Sequence, residues 1–120
     1  SRLKQEVYPA EWFAAAPAVI VVTMDRERAE RKYQQRGLEL YAFQDTAAAM
    51  QNMLLCAADL GLAACWVGAF DEEACRRVLA LPAHLRPVVM MPVGYPAADA
   101  LLADAVMPKR APLEKILDFV

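Results

Sequence analysis

Apolar and polar positions change their period several times along the chain, and each change predicts an element. Leu3, Val7, Trp12 and Phe13 suit an amphipathic helical segment over 1–16, with Pro9 forcing a break or a new start and Pro17 ending it. The run Ala18-Val19-Ile20-Val21-Val22-Thr23-Met24 is β-branched and apolar on both parities, which predicts a strand covered on both faces. From 25 to 44 charge dominates and no clean apolar stripe forms. The stretch DRERAERKYQQRG predicts either a short helix or a mobile surface excursion ending at Gly37, and the RERAERK run reads as a solvated face.

Periodicity returns with Met50, Met53, Leu54, Ala57 and Leu60, spaced by threes and fours along a long helix. Asp45 suits its N-cap, because a carboxylate can accept from the free N–H groups of a first turn; Gly61 suits the left-handed position past its end. A strand is predicted at Ala63–Val67. Asp71-Glu72-Glu73 then open a second helix, where acids complement the macrodipole, and it ends near Leu79-Ala80-Leu81-Pro82. Residues 87–93, PVVMMPV, predict another strand, whose internal proline points to an edge or a bulge. Gly94-Tyr95-Pro96 closes it. An Ala/Leu/Asp linker follows, and LEKILDF predicts a last short helix. The order describes an α+β fold, an α/β sandwich, with fewer strands than the about 5–6 of a typical sheet.

Composition narrows the classes. A chain of 120 residues is a single domain, 1–120, and 58% hydrophobic residues suit a heavily buried core. Thirteen basic residues against fifteen acidic ones give no bias toward nucleic acid or an anionic membrane. Gln51, Asn52, Asp59 and Gly61 interrupt the apolar run over 46–66 before it could span a bilayer, and SRLKQEVYPAEWFAAAP lacks the apolar centre of a secretory leader. The expected location is cytoplasmic. Cys56, Cys65 and Cys75 lie in apolar segments without a CxxC spacing, so they are expected to be buried, reduced and non-catalytic. With the single His84, expected in a solvated loop, they do not make a familiar zinc spacing. Tyr33 and Tyr41 suit packing or the lining of a pocket.

One junction carries chemistry. Val67-Gly68-Ala69-Phe70 ends an apolar run and leads straight into the acidic helix start. Small residues at such a corner serve a plain strand-to-helix turn, for which Gly68 and Asp71 are ordinary choices. They equally serve a flat ligand that must touch the main chain, since only a small side chain leaves the N–H accessible. The residues alone leave both readings open.

Several stretches, in order, resemble the nitroreductase family. They are Ala16-Pro17-Ala18-Val19-Ile20-Val21-Val22, Gln44-Asp45 with Gln51-Asn52-Met53-Leu54-Leu55, and Leu60-Gly61-Leu62. Cys65-Trp66-Val67-Gly68-Ala69-Phe70-Asp71 follows, then Leu81-Pro82, Pro87, Gly94-Tyr95-Pro96 and Arg110-Ala111-Pro112-Leu113-Glu114. The resemblance implies a mixed or antiparallel sheet flanked by helices. It implies an FMN-dependent homodimer that takes a hydride from NAD(P)H and passes electrons to nitroaromatics, quinones or similar small aromatic acceptors. Carried over by position, Gly68 and Ala69 match the corner whose backbone approaches the flavin ring. Arg110 matches the basic residue near the FMN phosphate. Lys109 stands beside it, whereas the family more often places its lysine two positions before the arginine, where this chain has Pro108.

SRLKQEVYPAEWF does not resemble the arginine-rich segment with which the family grips the FMN phosphate, so the resemblance is expected to cover about the family's C-terminal half. Two functional readings follow. One is an FMN-dependent NAD(P)H oxidoreductase, active with the rest of the fold supplied. The other is a truncated, cofactor-free relative serving as a dimerisation or binding module.

Overall fold

The computed structural model describes residues 2–98 and 110–115. After a π-helical turn at Leu3–Val7, the elements run α1 (Glu11–Ala15), β1 (Ala18–Asp25), α2 (Arg26–Arg36), a second π-helical turn (Gly37–Tyr41), α3 (Ala42–Asp59), β2 (Ala63–Ala64), α4 (Glu72–Leu79) and β3 (Leu85–Gly94). A single 3-10 turn follows at Leu113–Lys115, where a helix was expected; the remainder of LEKILDF and most of the linker lie outside the described residues. The strands make one antiparallel sheet in the order β1-β3-β2, between α3 on one side and α4 with the N-terminal segment on the other. This is the expected α+β layering.

The edge or bulge was expected from the proline inside 87–93, Pro92, which opposes Val19 in regular register. β3 is the central strand rather than an edge. Its pairing with β1 shifts register where Val22 opposes Val89 but Thr23 opposes Pro87, which leaves Val88 as an extra residue. This bulge sits beside Pro87, a residue that has no N–H to give a regular ladder. β1 is an edge. Val19 and Val21 pack toward one face and Val22 toward the other, whereas Ala18 and Ile20 are exposed. The prediction of a strand covered on both faces therefore holds only for its second half.

The helices show what local sequence does and does not dictate. Asp71 caps α4, its Oδ1 accepting from the Ala74 N–H at 2.8 Å, and Ala80 ends that helix in the left-handed conformation with φ 50°. Gly61 takes φ +70° just past α3, as expected of the position. Asp45 is not the cap. α3 begins at Ala42 and continues helically from the turn before it, so Asp45 lies within the first turn, where it complements the dipole.

The cap in this region is Asp25, whose Oδ1 accepts from the Arg28 N–H at 2.9 Å and starts α2. The 26–41 segment is thus a helical arm kinked at Gln34 (φ 51°, ψ −140°), and Gly37 does not end it. A Cβ at Gly37 would sit 2.3 Å from the Ala29 carbonyl oxygen, so the two limbs of the arm meet backbone to backbone there. Charged residues of α2 are exposed, as the pattern implies, and Tyr33 and Tyr41 pack edge to face with centroids 5.1 Å apart.

Candidate functional site

The strand expected at Ala63–Val67 breaks after Ala64. Val67 rejoins the sheet through a single bridge, donating to and accepting from Met90 at 2.9 Å each way. The next fixed point is Asp71, which caps α4 and donates its own N–H to the Val7 carbonyl at 3.4 Å. Between them Gly68 and Ala69 are exposed, and Phe70 turns inward onto the core formed by Val7, Phe13, Val67, Ala74, Cys75 and Met90.

Two features of this corner bear on the alternatives left open by the residues. Among the described residues, neither the Gly68 nor the Ala69 N–H has a hydrogen-bond acceptor, and both residues are exposed. Gly68 is also required neither by its backbone nor by its surroundings. It has no positive φ, and a Cβ placed there would meet only the Trp66 indole edge, at 3.4 Å and beyond. A plain turn leaves that glycine unexplained. A flat polar ligand drawn against the main chain explains both features.

The corner separates two small hollows. One, about 170 Å³, is walled by Tyr8, Trp12, Cys65 and Trp66; the other, about 160 Å³, by Phe43, Phe70, Glu72 and Arg86, and Gly68 lines both. Pockets that enclose a drug-sized ligand measure about 300–1,000 Å³, so neither hollow encloses such a ligand by itself. Larger cavities lie elsewhere. One of about 470 Å³ lies between the end of β1 and the arm, and one of about 740 Å³ between the arm and α4. Size does not make them better candidates, because the corner is where unpartnered donors and an otherwise needless glycine coincide.

The structure does not bring all the expected site residues together. Gly68 and Ala69 form the corner as expected. Arg110 is exposed and lines neither hollow, and Lys109 lies outside the described residues. The aromatic wall of Tyr8, Trp12 and Trp66 was not foreseen. Only Trp66 gave a local signal, by directly preceding the corner; the Tyr8–Trp12 pair, edge to face at 5.7 Å, reaches it through tertiary packing.

The cysteines differ from the common burial expected of them: Cys56 and Cys65 are exposed and only Cys75 is buried. Apolar neighbours in sequence do not bury a residue at the outer side of α3 or in the irregular segment before Val67. Burial pushes the Cys75 thiol above its usual pKa, and the nearby Glu72 charge adds to the effect. No group of three or more His, Cys, Asp or Glu side chains placed to hold a metal occurs among the described residues.

Comparison with known proteins follows the same residues. Residues 2–95 match the Nitroreductase family. That span lies in the N-terminal part of this chain and stops short of the Arg110–Glu114 stretch, so the expected correspondence to the family's C-terminal half is replaced by a match anchored on 2–95. A relative from Methanothermobacter thermautotrophicus, named "Putative NADH dehydrogenase/NAD(P)H nitroreductase", is 41% identical over 76 residues, covering 60% of this chain and 40% of its own. The chain spans about 40% of the length of the curated relatives it matches. Among solved structures, a nitroreductase family protein from Clostridium difficile 630 superposes with TM-score 0.78 at 25% identity, over 99% of this chain and 68% of its own. A nitroreductase family protein from Clostridium novyi NT gives TM-score 0.57 at 32% identity, over 68% of this chain and 44% of its own.

Proposed function

Because the chain belongs to the nitroreductase family, we propose that it acts as an FMN-dependent NAD(P)H oxidoreductase on nitroaromatics, quinones or similar small aromatic acceptors. The observation that carries this reading is that the exposed N–H groups of Gly68 and Ala69 have no hydrogen-bond acceptor among the described residues. FMN, when bound, supplies the chemistry of accepting a hydride and passing its electrons on. The chain's own part is to bind and orient. The Gly68 and Ala69 donors suit the polar edge of a flavin ring, and hydrogen bonds from them favour negative charge there. Tyr8, Trp12 and Trp66 offer an aromatic wall that keeps water from one side. Arg110, aided by Lys109, suits the phosphate, since a guanidinium presents two donors in a fork.

Each hollow beside the corner is too small for the whole group, so the reading includes a homodimer whose partner copy completes the site. Leu55 on α3 and Leu60 just past its end, 60% and 67% exposed, favour self-association of the chain. A cytoplasmic location belongs to the same reading, and among the described residues no helix is long and apolar enough to cross a membrane. That apolar outer side of α3 also supports the second reading, a cofactor-free dimerisation or binding module.

Titration of FMN against tryptophan fluorescence separates them. Saturable quenching is expected, because Trp66 and Trp12 flank the corner. Arg110→Ala should weaken binding by about 1.5–3 kcal/mol, a tenfold loss or more. Equal affinities would remove Arg110 from the site. Absence of saturable quenching in the wild-type protein would leave the module reading.

A further inference from the structure

The corner is tied at both ends to the same strand. At one end Val67 exchanges its two main-chain bonds with Met90. At the other, Glu72 opens α4 and receives Arg86: Nε lies 3.0 and 3.1 Å from the two carboxylate oxygens, and Nη2 lies 3.0 Å from Oε2. Met90 and Arg86 both belong to β3, so one strand sets the positions of both flanks of Gly68-Ala69-Phe70. The Arg86 guanidinium also lies over the Phe43 ring, 5.6 Å from its centroid, which adds the start of α3 to the same contact. Gly68 faces all three side chains across the 160 Å³ hollow.

The exposure of this ion pair separates positioning from stabilising. The side chains of Arg86 and Glu72 are 41% and 34% exposed, and pairs in that condition add little to global stability. Their geometry is nonetheless specific, since a planar fork gripping both oxygens and resting on a ring fixes direction as well as distance. We propose that Arg86 is the positioning residue of the corner: through Glu72 and Phe43 it holds the Gly68-Ala69 main chain in one orientation. The consequence for flavin binding rests on the function proposed above; the ordering of the corner does not.

Nuclear magnetic resonance relaxation of the ¹⁵N-labelled protein, paired with FMN titration, tests this. Order parameters at Gly68 and Ala69 are expected near about 0.85 in the wild type and below about 0.6 in Glu72→Gln, with β1 and β3 unchanged. Arg86→Lys keeps the charge and the stem but loses the fork. It should loosen the corner as well, in a background that retains its fold. FMN affinity should fall about threefold to tenfold in both variants. Unchanged order parameters at Gly68 and Ala69 in both variants would overturn the proposal whatever FMN does. A loosened corner with undiminished FMN affinity would uphold the positioning role and remove the corner from the flavin site.

Discussion

The two faces of the sheet are covered in different ways. On the face bearing Val19, Val21 and Met90, three separate pieces close over the strands: the N-terminal turn with Val7, α1 with Phe13, and α4 with Ala74 and Cys75. Phe13 and Cys75 are fully buried, and Lys4 ties this cover down by donating to the Ala14 carbonyl at 2.6 Å and to that of Ala16. On the opposite face α3 is the main cover. It buries Met50 against Val89 and Met91, yet only Ala42, Met50 and Ala57 of its eighteen residues are buried. Several short pieces can each turn an apolar side inward, whereas one long helix presents a single stripe to the sheet and leaves its other apolar residues outside. The candidate corner belongs to the closed face, where its flanks are held. The unsatisfied apolar surface belongs to the other.

The largest expected effect lies in the closed core. Phe13→Ala should destabilise by about 3–5 kcal/mol in denaturant unfolding, since the cavity would open beneath its two aromatic neighbours, Tyr8 and Trp12, whose packing cannot readily collapse. A loss below about 1 kcal/mol, the ordinary effect of a surface change, would show that the face is less closed than its burial implies. A smaller effect is expected on the outer side of α3. Leu55→Gln should shift folding stability by no more than about 0.5 kcal/mol, yet weaken self-association in sedimentation. A stable monomer in the wild type at micromolar concentration would remove the partner from that face.

The smallest perturbation is chemical labelling of the thiols. Cys65 and Cys56 should react with a thiol reagent in the folded protein, and Cys75 only on unfolding. The sign follows from its raised pKa: at neutral pH the neutral, unreactive thiol is favoured further, and the reactive thiolate forms only at higher pH than usual. If a second copy covers the outer side of α3, Cys56, one turn before Leu60, should become protected as concentration rises. Rapid labelling of Cys75 in the native state would erase the contrast between the faces.

The legible parts of the fold are those that depend on near neighbours. Asp71 before two glutamates reads as a cap and is one; Gly61 reads as a left-handed terminus and takes that conformation. The four principal segments that follow Pro17 were placed in the right order and type. The misreadings involve distance along the chain. Asp45 has every local quality of a cap, but the helix reaches back past it because the arm's returning limb, pinned where Gly37 meets Ala29, is already helical. Of the candidate site, Gly68 and Ala69 could be picked out from their own setting. The Tyr8–Trp12 wall and the Arg86 grip on Glu72 join residues far apart in sequence, and no local pattern announces them.

What the sequence by itself determined is the series of elements, most of their ends and the identity of the corner, because propensity, capping and turn chemistry act within a few residues. Only the tertiary structure decided that β3 is central with a bulge beside Pro87, that β1 is an edge, and that one cysteine of three is buried. It likewise decided that Gly68 and Ala69 stand between anchors on one strand. Burial and pairing are set by whichever distant segment arrives opposite, and a residue's neighbours in sequence carry little information about that arrival.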